Sequence, residues 1–492
     1  MHSFVKGSSF RSGKLLCLCF VVAFIVVTLM STCSFLYPTN TWGDAQCFYT
    51  VGKTIAQGKV LYRDIYEQKG PLLYFLHACV EWIPGTNVNP FLEIYILEVA
   101  AATATLFFLM KTLALYCGWK PRILAYLPLL CMLVYCNYSF VGGDSAEEFS
   151  LVANAYVLYA TMSMLQSERP ELSRGMLYCM GLLCGVVFWI KYTCLVFAFG
   201  ALIVLLAVAI RERNGRLIGR AVVFMLLGAL TASTPVFLYF AAHDAFGALW
   251  EAYFYNNLFA YPQDFRRQLS YTAYYLVYFA YYNSGYLLFA LGGWIYFLRR
   301  KWNAQACCIL CIVAAFVVVT IMGGRIFIYY WLPMAPLAVV GIACLDALLV
   351  RLQPARARRL ALGAVSLILC VWLSLPLWNR NIGQKREDVP SYQVVASMER
   401  TPETTLLDLS FLDSGIYTAG DFVPTTRFFC RLNLVLPEMV EEWERIIRNG
   451  EVDYIYTGVY TLEDYCPPEE QAAYTLISDG SGEQRLYRLN AA

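Results

Sequence analysis

Long apolar runs broken by short charged loops dominate the first 378 positions of the chain. A bilayer core takes a helix of roughly 17 to 25 apolar residues. On that measure the pattern predicts eleven spans, at about 15 to 36, 91 to 110, 123 to 141, 149 to 165, 176 to 190, 193 to 210, 221 to 241, 273 to 298, 304 to 322, 327 to 349 and 360 to 378. Lys6, Arg11 and Lys14 precede the first, as in a signal peptide, but its apolar stretch is long and no small-residue cleavage site follows, so a retained anchor is expected. Past Trp378 the runs stop. Segments 406–412, 438–448 and 452–460 read as alternating strand, helix and strand. The expected fold class is a polytopic α-helical membrane protein, residues 1–378 with a first outer loop at 37–90, carrying a small C-terminal extracytoplasmic α/β domain over 379–492.

Charge orients these spans. Residues 176–210 are one over-long helix or two short ones meeting at Lys191, and the flanking bases decide between them. Arg169 and Arg174 lie before the segment, and Arg211, Arg213, Arg216 and Arg220 after it, so both ends face the cytoplasm and Lys191 sits at the outer turn of a hairpin. With that choice the remaining basic clusters (Lys111, Lys120 and Arg122; Arg299 to Lys301; Arg351 to Arg359) also fall inside. The N-terminus is then cytoplasmic and 379–492 lies outside, in what we read as the plasma membrane. That outer part is acidic, with 19 Asp and Glu against 10 Lys and Arg.

Composition agrees: of 492 residues, 59% are hydrophobic and 15% charged, and the mean hydropathy of +0.53 excludes an ordinary soluble globule. A net charge of +2 offers nothing to nucleic acid. Most of the 18 cysteines lie in apolar runs and read as small hydrophobes. Cys430 and Cys466 stand apart in the polar part, where an oxidising compartment would allow them to pair.

The varied ionisable side chains gather on the outer face: Asp44, Arg63, Asp64, Glu67, Lys69, Asp144, Glu147, Glu148, Lys191, His243, Asp264, Arg266, Arg267 and Arg325. Asp44 opens a stretch in which Cys47, Phe48, Val51 and Ile55 recur at helical spacing, so it is either the N-cap of an interfacial helix or a base. Arg63, Asp64, Glu67 and Lys69 follow within seven residues, as a solvated turn or as a site. Lys69 immediately before Gly70-Pro71 would hold an ammonium at headgroup level, suited to a lipid phosphate. Asp144 and Glu147 have capping-box spacing, yet the adjacent Glu147 and Glu148 exceed what a cap needs. Lys191 and Arg325 are lone cations at outer turns, explained by snorkelling or by a phosphate. There is no Walker loop, dinucleotide fingerprint or His-Glu-x-x-His, and three histidines make a histidine-based metal centre an unpromising reading. His77, in an apolar stretch, reads as packed.

The pattern Gly58-x-x-x-Tyr62-Arg63-Asp64-x-x-x-x-Lys69-Gly70-Pro71-x-x-Tyr74, after an N-terminal span and an outer-loop acid, resembles the GT-C superfamily of membrane glycosyltransferases. The nearest kind is the bacterial branch related to protein mannosyltransferases and aminoarabinose transferases. The likeness covers roughly 15–210, and later spans by layout, including Gly323-Gly324-Arg325 and the Tyr-Tyr-Trp-Leu that follows. It implies transfer of a sugar from a polyprenyl-phosphate or polyprenyl-diphosphate donor to a lipid, glycan or protein acceptor during cell-envelope glycan synthesis. It implies catalytic roles for Asp44, with Asp144 and Glu147 beside it, and donor-phosphate contacts from Lys69, Arg63, Lys191 and Arg325, with Asp64, Glu67 and Glu148 as further candidates. Many relatives carry a second acid after the first; here Ala45 follows Asp44, which removes a metal-bridging pair and leaves any divalent metal without assigned ligands. The resemblance predicts a single displacement that inverts the anomeric centre, with the prenyl tail along the aromatics from Tyr271 to Tyr286. A transporter or flippase for a lipid-linked saccharide is the alternative, against which stands the absence of any internal repeat. A structural partner in an envelope complex is a third.

Overall fold

The computed structural model describes residues 8–81, 88–168, 170–260, 265–351, 381–471, 473–480 and 484–490. The eleventh expected span, the 378/379 domain boundary and Asp264 lie outside them. In chain order the main helices are α1 (Ser8–Met30), α2 (Gly43–Ala56), α3 (Pro71–Val80), α4 (Leu92–Cys117), α5 (Leu127–Tyr135), α6 (Ala146–Gln166), α7 (Arg174–Lys191), α8 (Val196–Arg211), α9 (Gly215–Ala242), α10 (Phe265–Tyr282), α11 (Ser284–Arg299), α12 (Asn303–Met322), α13 (Ala338–Arg351) and α14 (Pro437–Asn449). Strands β1 (Leu406–Asp408), β2 (Tyr454–Gly458), β3 (Tyr474–Gly480) and β4 (Gln484–Leu489) form one sheet of order β1-β2-β4-β3.

Six helical stretches among the described residues are long and apolar enough to cross a bilayer: Ser12–Met30, Leu92–Cys117, Arg174–Cys194, Gly215–Ala242, Asn303–Met322 and Ile328–Val350. Pro121–Tyr135 and Val196–Arg211 are shorter apolar helices. The chain is a multi-pass membrane protein. Leu226, Leu230 and Leu238 of α9 and Leu202, Ile203 and Ile210 of α8 are exposed, as side chains facing hydrocarbon would be.

The molecule divides into two compact units. The first comprises Met1–Ser34, Tyr95–Thr234 and Gln263–Arg380, the second Phe35–Ile94, Pro235–Pro262 and Asn381–Ala492. In the first unit α7 and α8 are separate helices joined by the turn Tyr192–Cys194, the division at Lys191 that the sequence predicts. The expected span 273 to 298 is instead two helices, broken at Asn283. This buried amide donates to the Phe279 carbonyl at 2.9 Å and accepts from Ser139 Oγ at 2.9 Å. A side chain satisfied in this way stabilises a bend that hydropathy alone does not register. Arg122 makes a two-pronged pair with Asp346 of α13, both contacts at 2.7 Å, so it is a packing cation.

In the second unit α2 packs on α3 at close range. A Cβ on Gly52 would run into the His77 side chain and the backbone of Ala78, so the crossing requires glycine. His77 is buried and its Nδ1 lies 2.9 Å from the Leu73 carbonyl, the packed role expected of it. β1 pairs parallel with β2, and β4 antiparallel with both β2 and β3. Val394, Met439, Trp443 and Ile446 are buried residues of this unit. The alternation of strand, helix and strand expected over 406–460 is present as β1, α14 and β2.

Candidate functional site

Each unit carries its own charge cluster. In the second unit the chain enters α2 through Trp42, which caps it without a side-chain bond, so Asp44 lies inside the first turn and is not the cap. A carboxylate there is favoured by the positive helix end. Asp44 is only 2% exposed. Its partner is Lys69, whose Nζ lies 3.3 Å from Asp44 Oδ1 and 3.5 Å from Glu67 Oε1, and 5.4 Å from the centre of the Phe48 ring. One ammonium thus serves two buried carboxylates, leaving a net negative triad.

The turn from Gly58 to Pro71 is built to hold that lysine. Gly58 has φ +94° and Tyr62 φ +66°, the second a left-handed conformation that costs of order 1 kcal/mol or more in a residue with a side chain. Packing offsets it. The Tyr62 ring is fully buried, stacked on Phe240 at 5.8 Å and edge-on to Tyr74 at 6.3 Å, and its hydroxyl donates to the Lys69 carbonyl; burial pushes its ionisation well up. The Lys69 amide donates to Glu67 Oε2 at 2.8 Å and to the Tyr74 hydroxyl at 3.0 Å. Asn257 donates to the Gln68 carbonyl at 2.8 Å and Asn256 to the Tyr66 hydroxyl at 3.0 Å.

The four charges of this loop therefore divide. Glu67 and Lys69 turn inward, while Arg63 lies outward and makes two bonds to its neighbour Asp64, at 2.9 and 3.2 Å, and a third to the His243 carbonyl at 3.2 Å. Asp64 also accepts from the Val60 amide at 2.8 Å. Its bond to Arg63, with that amide, holds its carboxyl below the ordinary carboxylate range. Arg63 and Asp64 shape the turn.

In the first unit the loop before α6 runs through four positive-φ residues, Val141, Gly142, Gly143 and Asp144, at φ +50°, +94°, +94° and +58°. Ser145 is the N-cap, its hydroxyl accepting from the Glu148 amide at 3.0 Å, so the capping role that spacing suggested for Asp144 belongs to the next residue. The Asp144 amide donates to Glu98 Oε1 at 2.7 Å and to Glu148 Oε2 at 3.1 Å, and Glu98 Oε2 accepts from Ser31 Oγ at 2.6 Å. A Cβ on Gly143 would collide with Glu98 and Ser31.

Glu98 lies within the apolar span expected at 91 to 110, and hydropathy averaged over that span conceals it. An acid inside such a span is itself the signal that could have found it. Glu147 turns elsewhere and pairs with Lys191 at the end of α7. That ammonium also lies 3.9 Å from the centre of the Tyr330 ring and 5.5 Å from that of Tyr329, a cation–π arrangement. Arg325 is half-buried in the segment leading to the tight helix Ile328–Leu337 that carries both tyrosines. Within each unit the structure thus brings expected residues together: Asp44, Glu67 and Lys69 in one, and in the other Asp144 with Glu148, and separately Glu147 with Lys191. Among the described residues no group of three or more His, Cys, Asp or Glu is placed to hold a metal ion.

No protein-family model matches the sequence, and no curated protein sequence matches it. Solved structures do. The chain is similar to ArnT from Cupriavidus metallidurans bound to undecaprenyl phosphate, at 12% identity over 99% of both chains with a TM-score of 0.62. It is similar to the apo state of the same protein at 12% identity over 98% of both chains, with a TM-score of 0.63. It also resembles the apo oligosaccharyltransferase of Archaeoglobus fulgidus, at 12% identity over 92% of this chain and 70% of that one, with a TM-score of 0.54. The chain therefore shares the overall fold of these solved structures, in line with the fold that the first-loop resemblance implies.

Proposed function

We propose that the protein is a membrane glycosyltransferase that takes a sugar from a polyprenyl-phosphate or polyprenyl-diphosphate donor and passes it to a hydroxyl of a lipid, glycan or protein. Transfer takes place on the outer face of the plasma membrane, with the N-terminus cytoplasmic. The fold supports the class, and the presence of undecaprenyl phosphate in one ArnT structure supports the carrier. A fold alone does not set chemistry. The observation that carries the reading is the buried Asp44–Lys69–Glu67 triad at the opening of α2.

In this reading Asp44 is the base. The acceptor hydroxyl gives its proton to the Asp44 carboxylate as its oxygen bonds to the anomeric carbon. The bond from that carbon to the phosphate oxygen breaks on the opposite side, the electron pair leaves on the phosphate, and the configuration inverts. Lys69 orients Asp44, a role we rank ahead of phosphate contact because two carboxylates already share its charge. Lys191 and Arg325 are the cations we assign to the donor phosphate, where charge grows as the bond breaks. Arg63 and Asp64 hold the loop, and Glu147 holds Lys191. We assign no metal ligand.

Sugar transfer from prenyl-phosphate sugars, measured in membranes over a range of donor concentrations, tests these roles. Asp44→Asn is expected to lower kcat by about 100-fold or more, the usual scale for losing a general base, with little change in donor KM. Lys191→Gln is expected to raise donor KM. Full turnover by Asp44→Asn would remove Asp44 from the chemistry. Net movement of intact donor without transfer would turn the reading to a flippase.

A further inference from the structure

The second unit brings two thiols together that no step of the proposed reaction uses. Cys47 lies on α2, one turn after Asp44, and Cys430 lies in the segment between β1 and α14. Both are buried, and their sulfurs are 3.8 Å apart. Composition offers Cys466 as a partner for Cys430, whereas in the structure Cys47 lies against it.

We propose that Cys47 and Cys430 are a disulfide-forming pair that ties the first outer loop to the C-terminal segment. Several observations favour a bond over simple thiol packing. Both cysteines sit on backbone held from several sides. The Asp413 amide donates to Cys47 Sγ at 3.3 Å, Trp443 donates to the Phe428 carbonyl at 2.8 Å, and the Tyr417 hydroxyl to that of Phe429 at 3.0 Å. The Leu412 amide donates to the Arg431 carbonyl at 2.8 Å. Sulfurs already at contact distance meet the first geometric condition for a disulfide. The two residues are separated by 383 positions, so the bond would close a very long loop, the case in which a cross-link restricts the unfolded chain most.

The oxidant is a disulfide, RSSR, from a small molecule or an oxidoreductase. One cysteine thiolate attacks it, giving a mixed disulfide and releasing one thiol; the second cysteine then displaces the other, so two protein thiols and RSSR become the Cys47–Cys430 bond and two RSH. Burial pushes the Cys47 thiol up to about 11 and that of Cys430 well above its usual value, which slows attack once the unit has closed. The bond accordingly forms while the unit is folding and is afterwards shielded from reductants. It requires residues 35–94 and 381–492 to face an oxidising compartment, as the orientation proposed above has them. It does not depend on glycosyl transfer.

The test uses the full chain isolated from its membrane, denatured in an alkylating agent without reductant, digested and analysed by mass spectrometry. The expected result is a peptide pair joined through Cys47 and Cys430, two hydrogens lighter than the sum of its parts and separated by reductant. Cys47→Ser and Cys430→Ser are expected to lower the melting temperature by similar amounts, about 5 °C or more. Full alkylation of both residues without reductant, or a Cys430–Cys466 peptide, would overturn the proposal whether or not either variant folds.

Discussion

At the residue scale, burial matters as much as charge type. Asp413 shows it outside the membrane-spanning segments. Its carboxylate accepts from Thr50 Oγ1 of α2 at 2.6 Å and from the Gly415 amide at 2.7 Å, yet burial, with the Asp408 charge nearby, pushes its ionisation up to about 7 from an ordinary 3.8. The folded protein then keeps a proton that the unfolded chain has already released, so this group favours folding fully below about pH 4 and less and less as pH rises towards 7. A shift of that size corresponds to a few kcal/mol. Thermal unfolding in detergent between pH 4.5 and 7 is expected to show stability falling with pH, and Asp413→Asn is expected to flatten that slope. The first-loop charges make the same point by position. Four within seven residues read alike in sequence, but Arg63 satisfies Asp64 at the surface while Lys69 turns inward to Asp44 and Glu67. No local pattern distinguishes these two outcomes, because the stacking of Tyr62 on Phe240, far along the chain, sets the direction of the turn.

At the scale of elements, the apolar helices were legible because a bilayer demands long unbroken runs. The division between α7 and α8 at Lys191 was legible because a single cation interrupts an apolar run too long for one span. What escaped were polar residues that hydropathy averages away. Asn283 breaks a predicted span into α10 and α11, and Glu98 in α4 grips the amide of Asp144. Both sit in runs apolar enough to hide them, and their partners include Ser139 for the one and Ser31 and Asp144 for the other, distant in sequence. The α2–α3 pair offers a test at this scale. Because a Cβ at position 52 meets both the His77 side chain and the Ala78 backbone, Gly52→Ala cannot be absorbed by a rotamer change. A loss of about 1–3 kcal/mol is expected, read as a lower melting temperature. Transfer activity is expected to fall with it, since α2 carries Asp44.

At the scale of the molecule, the second unit is assembled from three separate lengths of chain, 35–94, 235–262 and 381–492. In composition the C-terminal part stands apart from the apolar runs before it. The pairing is not visible in sequence because contacts between residues more than 360 positions apart leave no periodic trace. In the structure α2 is held by that part through Thr50 and Asp413, through Gln46 and Thr418, through Lys53 and Asp421, and through the two thiols. Removal of residues 385–492 is accordingly expected to abolish transfer altogether, and not merely to alter the choice of acceptor. Measuring transfer by the truncated chain in membranes, alongside its abundance there, checks this.

The same wiring has a consequence in time. Thr50 and Asp413 are 363 residues apart, and at about 5–20 residues per second a ribosome needs roughly 20 to 70 s to cover that distance. Throughout that interval the helix bearing Asp44 is already made but lacks the partners that steady it. On the proposed function, a nascent chain, or one cut short by a late stop codon, is expected to be inert in the membrane, with competence arriving only on synthesis of the segment that holds α2.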